Sequence, residues 1–159
     1  MKFVKPLSAA AVATSLMFAA ACNGAPDVSP EIKKAMHDRH EGFEAIADAM
    51  KKISDTLKGG GQLNPELAEA AKKINTLAEQ SKTWFPAGSG PETGIKTGAK
   101  PEIWTKPAEF AEKHEAFITA SGKLAQLAEA NDAAGFAGQV GELGKTCKGC
   151  HDGFRNKKK

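Results

Sequence analysis

The chain has no tyrosine, only 6% of its 159 residues are aromatic, and it contains just three cysteines. No stretch reaches the roughly 18 to 20 consecutive apolar residues that a spanning helix needs, which excludes a permanent multi-span membrane protein. Glycine and proline recur without the period of a collagen. Neither sign of charge dominates: the formal net charge is +3, and it falls to +1 once Lys2 and Lys5 are set aside. That balance excludes a general nucleic-acid binder and gives no reason to expect nucleic acid as a partner. What remains, 41% hydrophobic and 26% charged residues, is the composition of a globular chain, and the length allows one small domain.

Residues 1–21 read as an export signal: Lys2 and Lys5 form a basic start, Leu7 to Ala21 is mostly apolar but too short to span, and Ala19-Ala20-Ala21 offers small residues before a cleavage point. The mature chain is therefore expected outside the cytoplasm, in a periplasm. Cys22 follows the alanines, as bacterial lipoprotein processing requires, although Ala19 stands where leucine is usual three positions earlier. Plain secretion and a lipid anchor on Cys22 both stay open, and the liability of a lone exported thiol tilts the reading toward the anchor. Residues 22–29 form a tether and residues 30–159 the domain.

Ser29-Pro30-Glu31 has the form of an N-cap followed by proline at the first helical position. From there Ile32, Met36, Arg39, Phe43, Ile46, Met50, Ile53 and Leu57 recur at steps of four and three until Gly59-Gly60-Gly61. Asn64-Pro65-Glu66 opens a second helix, striped by Leu67, Ala71, Ile74, Ala78, Ser81 and Trp84 or Phe85, which ends at Pro86. Pro86 to Pro101 has no periodicity and reads as a crossover loop. A third helix starts near Lys106-Pro107, with Phe110, His114, Phe117, Ser121, Leu124 and Ala128 on one face, and Asn131-Asp132 breaks it. The fourth runs from about Ala133 through Phe136, Val140, Leu143, Cys147, Cys150 and Phe154 into the basic end Arg155-Asn156-Lys157-Lys158-Lys159. No segment alternates like a strand, so the expected fold is all-α, an antiparallel four-helix bundle.

Two features of these stripes carry chemistry. Cys147-Lys148-Gly149-Cys150-His151 sets two thiols and an imidazole within five residues, the spacing that lets two cysteines bond the vinyl groups of one haem while the histidine binds its iron. A thiol redox pair would instead sit at a helix N-terminus, where the thiol pKa is lowered. A structural zinc site needs further ligands than the scattered His37, His40 and His114. A disulfide between residues three apart on a helix is strained. The second feature is Arg39, a guanidinium in the middle of an apolar stripe. Its burial is costly unless an anion meets it, and haem propionates are such anions, whereas an arginine at the stripe's edge could snorkel to water. Phe43 lies one turn on, on the same face, and phenylalanine has no lone pair to offer a metal.

These residues, with Trp84-Phe85-Pro86 and Lys100-Pro101-Glu102-Ile103-Trp104, resemble the cytochrome c′ family over nearly all of the mature chain. The resemblance implies one covalently attached haem c inside the bundle near one end, with His151 as axial iron ligand and the first helix supplying the opposite face. In that family a methionine four positions after the arginine makes a six-coordinate, low-spin electron carrier, and an apolar residue leaves the iron five-coordinate and high-spin; here the residue is Phe43. Arg155, one turn after His151, borders the proximal side or simply belongs to the basic tail. Trp84 packs on the haem edge or closes the bundle. Met36, Met50, His37 and His40 read as core or surface residues rather than ligands, and His114 as a satisfied core histidine. The implied function is binding of nitric oxide and carbon monoxide together with electron transfer, with redox proteins and a homodimer as partners. The alternative is a low-spin electron carrier with a methionine or histidine sixth ligand. No acid, base or nucleophile constellation suggests an enzyme.

Overall fold

The structure, a computed structural model, describes residues 27–157. The export segment 1–21 and Cys22 lie outside the described residues. Among the described residues five α-helices follow one another: α1 (Pro30–Lys58), α2 (Pro65–Gln80), α3 (Glu102–Thr105), α4 (Pro107–Glu129) and α5 (Ala133–Phe154). The four long ones form the antiparallel bundle expected from the stripes, and α3 is a single added turn.

Helix starts follow their caps. The Ser29 hydroxyl accepts from the Ile32 amide at 3.4 Å, Asn64 Oδ1 from Leu67 at 3.0 Å, and Asp132 Oδ1 from Gly135 at 2.8 Å. Beyond α1, Gly60 takes a φ of +82°, a backbone state glycine tolerates best. The structure corrects the second helix. It stops at Gln80, and Ser81–Thr83 tightens into a 3-10 turn in which Ser81 Oγ donates to the Ala78 carbonyl at 2.6 Å. Trp84 and Phe85 therefore lie past the helix. The crossover loop is also more ordered than its composition suggests: it contains a 3-10 turn at Pro91–Thr93 and ends in α3, started by Pro101 and anchored by buried Ile103.

The main core runs along the bundle axis through Ile46, Ile53, Leu67, Ile74, Leu124, Phe136 and Leu143. α1 packs along α2, α2 along α4 and α4 along α5, whereas α1 and α5 touch only sparsely. A smaller cluster at one end joins Ala99, Ile103 and Phe154, with Phe85, Trp104, Phe110 and Cys150 against it. The loop is tied to the end of α5 by the Lys100 amide donating to the Phe154 carbonyl (3.0 Å) and the Asn156 amide donating to the Gly98 carbonyl (2.8 Å). This Ala99–Arg155 bridge is the only sheet-like pairing among the described residues.

Candidate functional site

Arg39 is 6% exposed on α1, at the position where the stripe called for an apolar side chain. Burial lowers its pKa, with the charge of Glu92 working the other way, and a guanidinium stays protonated throughout the ordinary pH range. Its Nη1 donates to the Trp84 carbonyl and to Ser89 Oγ, both at 3.3 Å, and Nη2 donates to the Ser89 carbonyl at 2.9 Å and to Thr97 Oγ1 at 3.2 Å. All of these acceptors are neutral. The guanidinium carbon also stands 5.1 Å from the Phe85 ring centre and 5.8 Å from that of Trp104. Arg39 thus does not snorkel. It pins the crossover loop to α1 through hydrogen bonds while its charge is met only at a distance.

One turn on, Phe43 is half-buried. Its ring meets Trp84 edge to face at 5.3 Å and Phe85 at 6.1 Å. Phe85 in turn meets Phe110 of α4 at 4.8 Å, and Phe110 meets Phe154 of α5 at 5.3 Å, so a chain of rings runs from α1 through the loop and α4 to α5. Trp84, 5% exposed, closes the bundle between α1 and the loop. It does so by lying on Gly42, where a Cβ would fall 1.9 Å from Trp84 Cη2. Gly42 was not singled out from sequence, nor were Ser89 and Thr97. The available signal for Gly42 was a glycine in a helix interior, where it costs about 1 kcal/mol relative to alanine and so needs a packing reason.

Across the sparse seam, Cys147 and Cys150 are free, half-buried thiols on successive turns of α5. Cys147 borders the same core cluster as Phe43, and Cys150 borders the end cluster with Phe85 and Phe110. Burial raises both thiol pKa values, that of Cys150 to about 11 with Cys147 adding to the effect. Neutral thiols at the C-terminal end of a helix are the wrong starting state for a thiol redox centre. Among the described residues no cluster of three or more His, Cys, Asp or Glu side chains is gathered to hold a metal ion. Two adjacent thiols facing an aromatic-lined seam, with an imidazole next to them, do fit a planar macrocycle that brings its own metal and bonds both sulfurs.

His151 is exposed. Partial desolvation, then Arg155, lower its pKa against the opposing pull of Asp152, favouring the neutral ring whose lone pair can bind a metal. Arg155 Nη1 lies 3.4 Å from His151 Nε2, so the one-turn spacing does bring the guanidinium to the imidazole. His114 is satisfied within the bundle: its Nε2 lies 2.6 Å from Ser81 Oγ and its ring stacks on Phe110 at 5.2 Å. His37 and His40 are exposed, Met36 is buried and Met50 half-buried in the packing.

A bundle with this donor set at the end of its last helix is that of a c-type haem protein. The family model described as Cytochrome C' matches residues 34–155. The cytochrome c' of Pararhodospirillum photometricum is 39% identical over 118 residues, covering 74% of this chain and 92% of that one. The crystal structure of cytochrome c' from Rubrivivax gelatinosus superposes with a TM-score of 0.74 at 29% identity, over 81% of this chain and all of that one (100%). A nitric oxide complex of a point mutant from Alcaligenes xylosoxidans gives a TM-score of 0.72 at 26% identity, over 82% of this chain and 100% of that one. The chain belongs to the cytochrome c′ family, whose cofactor is covalently attached haem c with its iron.

Proposed function

We propose that this chain is an exported cytochrome c′, a binding and electron-transfer protein rather than an enzyme, whose iron has no sixth protein ligand and takes up nitric oxide or carbon monoxide. When bound, the haem supplies a one-electron couple and an open coordination position. Cys147 and Cys150 would hold it through thioether bonds and His151 through its ring nitrogen. Arg39, whose hydrogen bonds all end on neutral oxygens, has charge left to meet a propionate, and Arg155 flanks the imidazole.

The observation that carries the reading is Phe43. It is the half-buried side chain one turn after Arg39, it borders the cluster that Cys147 also borders, and it has no atom that can ligate. A ring there excludes water and bulky or charged ligands by packing, while a small neutral gas needs only a modest displacement of it. Solved structures of the cytochrome c prime of Alcaligenes xylosoxidans variants with nitric oxide and with carbon monoxide support the choice of ligand. The test is the optical spectrum of the purified protein: a broad, high-spin Soret band in the ferrous state and slow carbon monoxide uptake are expected, and a sharp low-spin spectrum at neutral pH overturns the reading in favour of Met36, Met50 or a histidine as sixth ligand. Residues 1–21 would direct the chain to the periplasm, where it would meet redox partner proteins. Intact mass tests whether Cys22 is acylated, and sedimentation tests the homodimer.

A further inference from the structure

The placement of Trp84 on Gly42 gives Phe43 a wall. The indole edge touches the α1 backbone at Gly42, one residue before Phe43, so closely that not even a methyl group fits between them. The Trp84 amide is held by the Ser81 carbonyl at 3.1 Å and its carbonyl by Arg39 at 3.3 Å, so the residue is fixed at its backbone as well as its ring. Phe43 meets this ring edge to face at 5.3 Å. Its other aromatic neighbour, Phe85, is braced in turn by Phe110 at 4.8 Å, by Trp104 at 6.5 Å and by the Arg39 guanidinium at 5.1 Å. A Phe43 ring that withdraws from the seam therefore moves against one of two fixed rings, and Trp84 is the one packed directly on its own helix.

We propose that Trp84, seated on Gly42, is the size-determining residue of the distal face: it limits how far Phe43 can withdraw and so sets the largest neutral ligand admitted. It acts through Phe43 and is a positioning residue. The inference rests on the reading of Phe43 as the cover of the gas-binding face. A diatomic gas needs a displacement that the Trp84 wall permits, and a longer ligand with the same donor carbon requires the indole to move too.

The test compares carbon monoxide with n-butyl isocyanide, a neutral carbon donor carrying an alkyl tail, in the ferrous holo-protein and its Trp84→Leu, Phe43→Ala and double variants. Trp84→Leu should raise the isocyanide association rate about tenfold more than that of carbon monoxide, the scale of one lost aromatic pair. In the Phe43→Ala background, the same change should add nothing further. Urea unfolding of the same four proteins gives a readout independent of ligand binding, and the Phe43–Trp84 cycle should show a coupling of several-fold in the unfolding constant. If Phe43→Ala accelerates uptake while Trp84→Leu leaves the ratio of the two ligands unchanged, or if the coupling is nil, Trp84 is not the wall. If Phe43→Ala changes neither rate, the reading of Phe43 itself fails, and this inference with it. Should Trp84→Leu not retain haem, Trp84→Phe decides by the same criteria.

Discussion

Two glycine-to-alanine substitutions in this chain should move stability in opposite directions. At Gly42 a Cβ would stand 1.9 Å from Trp84 Cη2 and 2.6 Å from two neighbouring ring carbons. Ordinary carbon contacts are about 3.5 Å or more, so the indole must retreat by roughly 1.5 Å or α1 must shift. Overpacking of this kind costs about 1–3 kcal/mol, to which loss of the Phe43–Trp84 pair adds about 1 kcal/mol and from which the better helix propensity of alanine takes back about 1 kcal/mol. The expected net effect of Gly42→Ala is a loss of about 2 kcal/mol. Gly138 lies in the interior of α5, exposed and with open space where its Cβ would be. There only the propensity gain operates, and Gly138→Ala should stabilise by about 0.5–1 kcal/mol. Urea unfolding followed by far-UV circular dichroism measures both. A Gly42→Ala protein as stable as the parent would mean that Trp84 does not lie on α1, and the account of the distal wall would fall.

Replacing Cys147 and Cys150 together by serine should leave no haem bound after acid-acetone extraction, and haem that survives the extraction would refute attachment at these thiols. Arg39→Leu should cost about 3 kcal/mol, because buried carbonyls of Ser89 and Trp84 lose a charged donor, and the loop should become protease-sensitive even without haem; a larger loss in the holo-protein would add evidence for a propionate partner. Arg39→Lys should not restore the loop, since an ammonium lacks the planar fork that reaches Ser89 and Thr97. Burial lowers the His114 pKa, more than the Glu115 charge raises it and with Lys82 in the same sense as burial. The unfolded chain, titrating near 6.5, then binds this proton more readily than the folded one, so His114 lowers stability as pH falls below about 6.5 and is without effect above it. His114→Phe should flatten that part of the stability profile in urea titrations from about pH 5 to 8.

The long helices were legible because their apolar positions repeat every three to four residues and their ends carry local signals. Ser29-Pro30, Asn64-Pro65 and Asp132 each cap the helix they announce. Cys147, Cys150 and His151 stood out from sequence by their spacing, and the structure places all three on the last turns of one helix. The end of α2 was not: Ser81 and Trp84 continue the apolar stripe, and only the tertiary contacts of Ser81 with His114 and of Trp84 with Gly42 turn the chain into a 3-10 turn. The partners of Arg39 were equally hidden, since Ser89 and Thr97 are 50 and 58 residues away and sit in a loop without periodicity. A buried arginine announces that acceptors exist but not which ones.

The loop explains how this bundle can leave one seam loose. α1 and α5 touch only sparsely, and a four-helix bundle with an unclosed side should breathe there. Arg39 fastens one part of the loop to α1 at Trp84, Ser89 and Thr97, and main-chain hydrogen bonds fasten the part just beyond to the end of α5 at Phe154 and Asn156. Phe85 and Phe110 fill the span beneath it. The strap ties both helices to the same loop although they touch each other only sparsely, an arrangement that would leave room for the planar prosthetic group proposed above. Arg39 secures the strap through hydrogen bonds that all end on neutral oxygens, so its charge is not spent in holding the loop, and this is the feature on which the proposed propionate partner rests.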